Sequence, residues 1–251
     1  MLAEERLERI TALVDERGTV SSSELMETLG ASDSTVRRDL TRLAQEGRIV
    51  KVHGGARAVG AASRLSVVSM DQAVGEKLDV NLAQKTRIAR FAASLIAPDD
   101  FVFIDAGSTT GCLAEAITET RATYVTNSIE IARTLVEKGC RVLLPAGEIK
   151  TVTGALVGEQ TVETLRRFRF TVGFFGTNGA TPDAGFTTPE AGEAFVKETA
   201  LSHTLKPYVL CDSGKFSIVS PVAFAAFDAA TALTDAVPEE LAGYPNVVAV
   251  P

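Results

Sequence analysis

The hydrophobic positions of the first 46 residues recur at helical spacing and predict three short helices. The apolar stripe of the first helix stops at Gly18, and that of the second stops at Gly30. Glycine commonly follows the end of a helix, so both positions predict helix ends. In the third helix, steps of about 100° per residue place Leu40 and Leu43 within about 40° of Val36, so one narrow face can pack on a core. The apolar positions of the first two helices are Leu7, Ile10, Leu13, Val14, Leu25 and Leu29.

Local signals at the start of the second helix predict how these helices are joined. Ser21 and Glu24 stand at the two positions of a capping box, and Val20 and Leu25 stand where a hydrophobic staple would close. A helix that braces the following one across a short turn is the arrangement of a helix-turn-helix. Residues 48–55 alternate weakly and turn on two glycines, which predicts a β-hairpin wing. The sequence therefore predicts an N-terminal winged helix-turn-helix.

The polar face of the third helix carries the groups that proteins use to read DNA. Arg38 lies opposite the apolar stripe, and arginine binds guanine edges or phosphates through a bidentate fork. We predict that this helix enters the major groove of double-stranded DNA, that the wing contacts phosphate, and that Asp39 orients an arginine. The predicted DNA-binding residues are Ser34, Thr35, Arg37, Arg38, Thr41, Arg42, Lys51 and His53. A solvated, charged helix face is the alternative interpretation.

Charge supports DNA binding only locally. The 25 basic and 32 acidic side chains give the chain a formal net charge of −7. Residues 31–60 carry six basic and three acidic side chains, a balance of +3, where contact with DNA is expected. Residues 61–251 carry 16 basic and 22 acidic side chains, so the larger part of the molecule repels DNA and leaves one attractive face.

Length and composition indicate two domains. A chain of 251 residues with 45% hydrophobic content is long enough for a second domain with its own core. Small residues without helical periodicity predict a linker at 58–75, between a DNA-binding domain at 1–57 and a larger domain at 76–251. No signal-peptide pattern follows Met1, and no apolar run approaches the roughly 18 residues of a membrane span. We therefore expect a cytoplasmic protein without membrane contact.

The cysteines and histidines do not suggest a metal site or a catalytic cluster. Cys112, Cys140 and Cys211 are odd in number and far apart, which predicts reduced and mostly buried thiols. His53 and His203 fall in different predicted domains, which argues against a zinc site and a histidine-based triad. We predict neither bound metal nor catalytic residues.

Beyond the linker, apolar runs alternate with amphipathic segments, a rhythm typical of a mainly parallel α/β sheet. The predicted strands lie near residues 101–105, 123–126, 141–144, 171–175 and 208–211. Ligands of such sheets bind outside the carboxyl ends of the strands, so the residues that follow each strand are candidates for ligand binding.

The segment 105–111 is the strongest of these candidates. Its small residues present backbone amides and three hydroxyl groups at the start of a helix, an arrangement that binds phosphate. The segment lacks the lysine of a P-loop and departs from Gly-x-Gly-x-x-Gly, so neither ATP nor NAD is expected as a cofactor. A simple turn capped by Ser108 or Thr109 is the alternative. Other strand ends add amide, hydroxyl and ammonium groups that suit a polyhydroxylated ligand. These are residues 126–128, 175–179 and 211–216.

The chain resembles the DeoR family of transcriptional regulators along essentially its whole length. In the first domain the resemblance is carried by Arg6, Ile10, Val14, residues 32–40 and residues 52–56. In the second domain it is carried by Lys85, Ile88, Ala89, residues 105–110, 126–128, 178–179, 185–186, 193–194 and 212–215. The resemblance implies a sensor domain with the fold of ribose-5-phosphate isomerase that binds a phosphosugar. It also implies that the protein represses a sugar uptake or catabolism operon and that the bound sugar phosphate relieves this repression. Fructose 1-phosphate is one candidate for the sugar phosphate.

The resemblance further implies which residues bind this effector. The hydroxyls at the start of the helix after residue 107 would hold the phosphate, with positive charge from Lys85 and Lys215. Asp105, Asn127 and Asn178 would bond to sugar hydroxyls. The full set of implied effector-binding residues is Lys85, Asp105, Gly107, Ser108, Thr109, Thr110, Thr126, Asn127, Ser128, Gly147, Asn178, Gly179, Glu190 and Lys215.

Two positions depart from the family pattern. Residues 145–147 read Pro-Ala-Gly where a Gly-Gly pair is usual, and Glu190 stands where an aspartate is common. Ligand contacts near both positions are expected to differ from those of other members.

Two other functions stay open. A sugar-phosphate isomerase needs a base near a carbon-bound proton, but the loop that is acidic in isomerases reads Phe-Gly-Thr-Asn-Gly at 175–179, which leaves Asp105 and Asp183 as carboxylates. A DNA-binding protein whose second domain only oligomerises would bind no effector. In either kind of regulator we expect a homo-oligomer, a dimer or tetramer, because paired modules read operators at helical-turn spacing.

Overall fold

The computed structural model divides the chain into two compact units, Met1–Ser66 and Val67–Pro251, which are named the N-terminal and the C-terminal unit. The structure describes residues 3–17, 19–52, 55–58, 66–67 and 80–251. The division between the units falls inside the segment 58–75 for which the sequence predicts a linker.

Within its described residues, the N-terminal unit consists of three helices and a three-stranded antiparallel sheet of order β1-β3-β2. The bounds are α1 Ala3–Arg17, β1 Thr19–Ser21, α2 Ser22–Leu29, α3 Asp33–Gln45, β2 Ile49–Val52 and β3 Gly55–Ala58. The hairpin β2–β3 is the predicted wing. Strand β1 was not predicted, and it pairs with β3 so that Val20 lies opposite Ala56. The predicted winged helix-turn-helix is confirmed, with β1 as an addition.

The apolar stripes of the three helices meet in one core, as predicted. On α3, Val36, Leu40 and Leu43 expose at most 1% of their surface. The other buried members of this cluster are Leu7, Ile10, Leu13, Val14, Val20, Leu25, Ile49 and Ala56. The buried set places the opposite face of α3 toward solvent, which is the face proposed for DNA.

The ends of α2 are fixed by the two signals that the sequence offers. The Ser21 hydroxyl accepts a hydrogen bond from the Glu24 amide at 3.2 Å, and the Glu24 carboxylate accepts one from the Ser21 amide at 2.9 Å. Gly30 follows the helix in the left-handed conformation, with φ of 61°. The capping box thereby satisfies two amides that the helix itself leaves unpaired.

Replacing Ser21 with alanine should lower the free energy of unfolding of the N-terminal unit by about 1 kcal/mol, because the helix loses its cap. Far-UV circular dichroism during urea unfolding measures this loss. Residues 1–90 contain no Phe, Trp or Tyr, so the near-UV band follows the C-terminal unit separately. Ser23→Ala is the control, since Ser23 is exposed inside α2 and alanine favours a helix. An equal loss from both variants would contradict the role of Ser21 as a cap.

Along the rest of the chain, helices and strands mostly alternate. The helices are α4 Leu82–Ala93, α5 Ser108–Ala116, α6 Ile129–Glu137, α7 Glu159–Arg166 and α8 Ala191–Ser202, with 3-10 turns at Ser213–Lys215 and Glu239–Leu241. The strands are β4 Ser66–Val67, β5 Phe101–Ile104, β6 Thr123–Thr126, β7 Arg141–Leu143, β8 Glu148–Lys150, β9 Ala155–Val157, β10 Phe170–Gly176, β11 Gly179–Thr181, β12 Gly185–Thr188, β13 Thr204–Leu210, β14 Ile218–Val219, β15 Val222–Ala225, β16 Thr231–Thr234 and β17 Val247–Ala249.

A seven-stranded parallel sheet organises the C-terminal unit, in the order β17-β16-β13-β10-β5-β6-β7. The mainly parallel α/β prediction is therefore confirmed. The two outer strands β16 and β17 were not predicted. An antiparallel sheet β11-β12-β15 and the hairpin β8–β9 were not predicted either, and they stand apart from the main sheet.

Alternate side chains of each strand pack on opposite faces of the sheet, which gives three layers. Val102 belongs to the core with Leu113 of α5, whereas its neighbour Phe103 belongs to the core with Leu165 of α7 and Ala200 of α8. Helices α4, α5 and α6 thus cover one face, and α7 and α8 cover the other.

The strand order places the expected ligand site. From β5 the chain adds β6 and β7 on one side, and from β10 it adds β13, β16 and β17 on the other. The direction of winding therefore reverses between β5 and β10, and ligands of open α/β sheets bind outside the carboxyl ends at such a reversal. Asp105 follows β5, and Gly176 ends β10.

Candidate functional site

The residues predicted to contact DNA lie on one side of the N-terminal unit. All of the described ones are exposed, apart from the half-buried Thr35. The exposed set is Ser34, Arg37, Arg38, Thr41, Arg42 and Lys51. His53 lies outside the described residues.

The basic side chains of this face differ in how they are engaged. Arg37 pairs with Asp33 at 2.9 Å, and Arg42 pairs with Glu46 at 2.9 Å. Arg38 makes no ion pair or hydrogen bond within the described part of the chain. Exposed pairs of this kind are worth about 0.3–0.5 kcal/mol, so a DNA phosphate can replace them at little cost. In the wing, the Lys51 ammonium donates to the Thr41 hydroxyl at 2.7 Å and so joins β2 to α3.

Asp39 has the arginine partner that the sequence predicts, but the arginine comes from α1. The Arg6 guanidinium donates to both carboxylate oxygens of Asp39, at 2.6 and 3.3 Å. This bidentate contact raises the pKa of Arg6. It also ties α3 to α1, which holds α3 in place within its unit.

In the C-terminal unit, Asp105 follows β5 at the reversal of the sheet between β5 and β10. Its carboxylate accepts a hydrogen bond from the Gly176 amide at 3.0 Å and forms an ion pair with Lys197 of α8. The Lys197 ammonium also donates to the Gly176 carbonyl at 3.1 Å. Burial raises the pKa of the Asp105 carboxyl, and the charge of Lys197 opposes that rise.

The loop after β5 leads into α5 without a side-chain cap. Gly107 is the N-cap residue, so neither Ser108 nor Thr109 caps the helix as the alternative interpretation supposed. The Thr110 hydroxyl donates to the Gly107 carbonyl at 3.0 Å, which places it inside the fold. The first amides of a helix lack helical partners, and here no side chain at the cap position covers them. Such an end suits an anion.

The strand end after β6 is held by its own side chains. The Asn127 amide oxygen accepts from the Ala106 amide at 3.0 Å, and its NH₂ group donates to the Leu156 carbonyl at 3.3 Å. The Thr126 hydroxyl accepts from the Ser128 amide, and the Ser128 hydroxyl caps α6. Asn127 is 1% exposed, and these bonds link its loop to the loop after β5 and to the residue Leu156 of β9.

Two of the glycines implied in effector binding have a steric reason to be glycine. A Cβ on Gly179 would lie 2.2 Å from the Ile218 carbonyl oxygen, and a Cβ on Gly147 would lie 2.0 Å from the Thr161 hydroxyl. Gly147 also has φ of 154°. Both positions are thus explained by close approach of other parts of the fold.

The remaining implied residues lie around the same edge. Lys85 is buried on α4, and its charge acts on Cys112 of α5. Lys215 is half-buried in the 3-10 turn after β13, and the Asn178 amide oxygen accepts from the Thr188 hydroxyl at 3.4 Å. Glu190, at the start of α8, is exposed and forms an ion pair with Lys150 of β8.

The sequence analysis missed three charged residues that the fold brings to this region. Lys197 is 3% exposed and pairs with Asp105. Glu193 accepts from Lys150 at 3.1 Å and from the Thr153 hydroxyl at 2.9 Å. In the sequence, Glu193 and Lys197 stand at helical spacing among the apolar residues of α8. A charge on a buried face needs a partner, so this pattern could have indicated buried ion pairs.

The three cysteines are free, and two of them are buried, as predicted. Burial raises the pKa of the Cys112, Cys140 and Cys211 thiols. Within the described residues there is no group of three or more His, Cys, Asp or Glu side chains that could hold a metal ion. None of the described helices combines the length and the hydrophobicity of a membrane span.

Weak similarity links the chain to solved structures. Ribose 5-phosphate isomerase A from Neisseria gonorrhoeae is 15% identical, with a TM-score of 0.40 over 53% of each chain. A probable sor operon regulator from Shigella flexneri is 10% identical, with a TM-score of 0.38 over 61% of this chain and 83% of that chain.

Sequence relatives are much closer. An uncharacterized HTH-type transcriptional regulator FruR of Bacillus subtilis is 36% identical over 93% of this chain and 91% of the relative. A lactose phosphotransferase system repressor of Staphylococcus epidermidis is 38% identical over 84% of this chain and 83% of the relative. These relatives are regulators, which confirms the prediction that the chain is not an enzyme.

Family models match both units. The DeoR-like helix-turn-helix domain matches residues 6–61, and the DeoR C terminal sensor domain matches residues 80–236. Together with the regulators that match most of the length, these matches show that the chain belongs to the DeoR family of transcriptional regulators.

Proposed function

We propose that this regulator represses transcription of a sugar uptake or catabolism operon, and that a phosphorylated sugar bound to the C-terminal unit relieves the repression. Relatives named lactose phosphotransferase system repressor support the connection to sugar. The observation that carries the effector site is the meeting of a buried carboxylate, Asp105, and an uncapped start of α5 at the reversal of the sheet. In this proposal the regulator works in the cytoplasm and needs no cofactor.

In the proposed complex, α3 lies in the major groove of operator DNA and the wing contacts phosphate. The exposed arginines of α3, with Ser34 and Thr41, supply the contacts, and Asp39 keeps α3 braced against α1. The residues 1–57 form the DNA-binding domain in this proposal, and residues 76–251 bind the effector and join the subunits.

The effector's phosphate is proposed to lie at the start of α5, near the cationic side chains of Lys85 and Lys215. Sugar hydroxyls are proposed to face Asp105 and Asn178. The internal bonds of Asn127 and the tight packing of Gly147 and Gly179 favour a supporting role for these three over direct contact.

Relief of repression requires that the effector favour one arrangement of a homo-oligomer over another by about 1 to 3 kcal/mol. In a dimer or tetramer the paired DNA-binding modules then no longer match the operator spacing. Binding of the effector is therefore proposed to lower the affinity of the regulator for its operator.

A titration of the operator complex tests the proposal. Fluorescence anisotropy of a labelled operator fragment, taken from upstream of the regulated operon, should fall when the right sugar phosphate is added. The panel contains pentose and hexose phosphates, including fructose 1-phosphate and ribose 5-phosphate, each beside the unphosphorylated sugar. If calorimetry finds no binding of any phosphosugar, the C-terminal unit only oligomerises, and the effector part of the proposal fails while DNA binding stands.

Replacing Lys215 with alanine should raise the effector concentration needed for half-release of the operator about tenfold, the loss of one charge-assisted hydrogen bond. Operator affinity without effector should not change, because the substitution lies in the C-terminal unit. Lys206→Ala is the control, since Lys206 is exposed on β13, away from the carboxyl end of that strand. An unchanged response of the Lys215 variant would remove Lys215 from the site.

A further inference from the structure

We propose that Lys197 is a positioning residue of the effector site, which holds the Asp105 carboxylate so that Oδ1 accepts a hydrogen bond from a hydroxyl of the effector. The inference rests on the proposed function and names the group that the site selects. That group is a hydroxyl of the sugar, which would lie at the carboxyl ends of β5 and β10 and is distinct from the phosphate group.

The contacts of Asp105 are divided unequally between its two oxygens. Oδ2 accepts from the Gly176 amide at 3.0 Å and from the Lys197 ammonium. Oδ1 makes no hydrogen bond to any described residue. The Asp105 side chain retains 2% of its surface, and among the described residues the fully enclosed side-chain polar atom without a partner is the Ser220 hydroxyl rather than Oδ1. One oxygen is thus fixed by the fold, and the other is left with its acceptor capacity.

The Lys197 ammonium is itself held on several sides. It donates to the Gly176 carbonyl at 3.1 Å and lies 5.5 Å from the centre of the Phe224 ring. Because the Gly176 carbonyl and the Asp105 carboxylate both bind this cation, Lys197 joins the ends of β5 and β10 at the reversal of the sheet. A lysine in this place fixes the direction of the carboxylate as well as its charge.

Burial and two charged side chains act on the pKa of the Asp105 carboxyl. Burial and the charge of Glu193 raise the pKa of the carboxyl, whereas Lys197 lowers it. Glu193 lies on α8 like Lys197, and it is paired with Lys150 of β8. Removal of the Lys197 charge would leave only the Gly176 amide to oppose the effect of burial, so the pKa of Asp105 would rise further and the carboxyl would be protonated over a wider range of pH.

If the ion pair between Lys197 and Asp105 served only stability, it would not need to lie at the carboxyl ends of β5 and β10. Buried pairs contribute little net stability, and an apolar pair of the same size often serves as well. Here the pair lies where parallel sheets bind ligands, beside the loop that leads into α5. An ionised carboxylate with a free oxygen is a strong acceptor, and a site built to bond a hydroxyl discriminates strongly against an analogue that lacks it.

The first test uses the wild-type protein and needs no variant to fold. For the sugar phosphate that releases the operator, each monodeoxy analogue is titrated into the same complex. We expect that one analogue requires at least about ten times the concentration of its parent. If every monodeoxy analogue acts like the parent, the inference is overturned while the proposed function stands. If no sugar phosphate acts at all, the proposed function fails and the inference falls with it.

The second test addresses Lys197 itself. Lys197→Met keeps most of the length of the side chain and removes its charge, so the response to effector should weaken relative to wild type as the pH falls and recover as the pH rises and Asp105 ionises again. Lys197→Arg should retain a response with little dependence on pH, and Lys206→Met is the matched control on an exposed lysine. The discriminating deoxy analogue should act equally on wild type and on Lys197→Met.

A merely structural role predicts a different pattern. The response would then fall equally for the parent sugar and for the deoxy analogue, without dependence on pH, and that result would overturn the inference. A wild-type response of Lys197→Met at every pH would overturn it as well. Should Lys197→Met unfold, Lys197→Arg tests the positioning role instead, and a folded Lys197→Arg that responds equally to the parent sugar and to the deoxy analogue would overturn the inference.

Discussion

Replacing Arg38 with alanine should weaken operator binding by about 1 to 3 kcal/mol, which corresponds to about 5- to 150-fold in affinity. Arg38 is exposed on the face of α3 opposite Leu40, and it makes no ion pair within the described residues. Arg37 and Arg42 must first release Asp33 and Glu46, so their replacement should cost less than that of Arg38. Arg38 is therefore the side chain best placed for a bidentate base contact.

Anisotropy titrations at several salt concentrations separate the two ways in which Arg38 can act. If it reads a base, the variant should lose discrimination against an operator changed at that base pair. If it binds phosphate, all sequences should weaken alike and the salt dependence should fall by about one counterion. Arg133→Ala is the control, because Arg133 is exposed on α6 between Glu130 and Glu137. Equal effects of the Arg38 and Arg133 variants would show that α3 does not read the operator.

The features that the sequence predicts well are local. The capping box depends on Ser21 and Glu24, three residues apart, and the core face of α3 depends on the spacing of Val36, Leu40 and Leu43. Contacts over one helical turn are visible in sequence because the period of the helix is fixed. The same holds for the alternation of strands and helices, from which the parallel sheet follows.

The outer strands of the sheet could not be predicted in the same way. Strand β16 has four residues and β17 has three, and both are shorter than the runs that mark a buried strand. The hairpin β8–β9 is just as short, and its exposed Ile149 gives no clear alternation. Such strands form because neighbouring strands offer unpaired backbone groups, and this information lies elsewhere in the chain.

Lys197 shows why the candidate site was only partly predictable. Its partner Asp105 is 92 residues away in sequence, and the two meet only after β5, β10 and α8 have packed. The sequence marks Asp105 through its place after a strand, but it marks Lys197 only as a lysine within a helix. The ion pair that opposes the rise in the pKa of Asp105 therefore becomes visible only with the fold.

Replacing Gly179 with alanine should lower the free energy of unfolding of the C-terminal unit by about 3 kcal/mol. The added methyl group would lie 2.2 Å from the Ile218 carbonyl oxygen and 3.0 Å from the Thr187 hydroxyl. The first obstacle is backbone, which cannot rotate away, so β11 must separate from its neighbours. The loss would occur even if Gly179 touched no effector, because its cause is packing.

Urea unfolding followed by near-UV circular dichroism measures this loss, since all aromatic side chains of the chain follow residue 90. Gly111→Ala is the matched control, because a Cβ on Gly111 meets no atom within 4 Å in α5. Alanine there should stabilise the unit by about 0.5–1 kcal/mol, because it restricts the unfolded chain and favours the helix. If Gly179→Ala is as stable as wild type but no longer responds to the effector, steric packing is not the reason for the glycine, and direct contact with the ligand is.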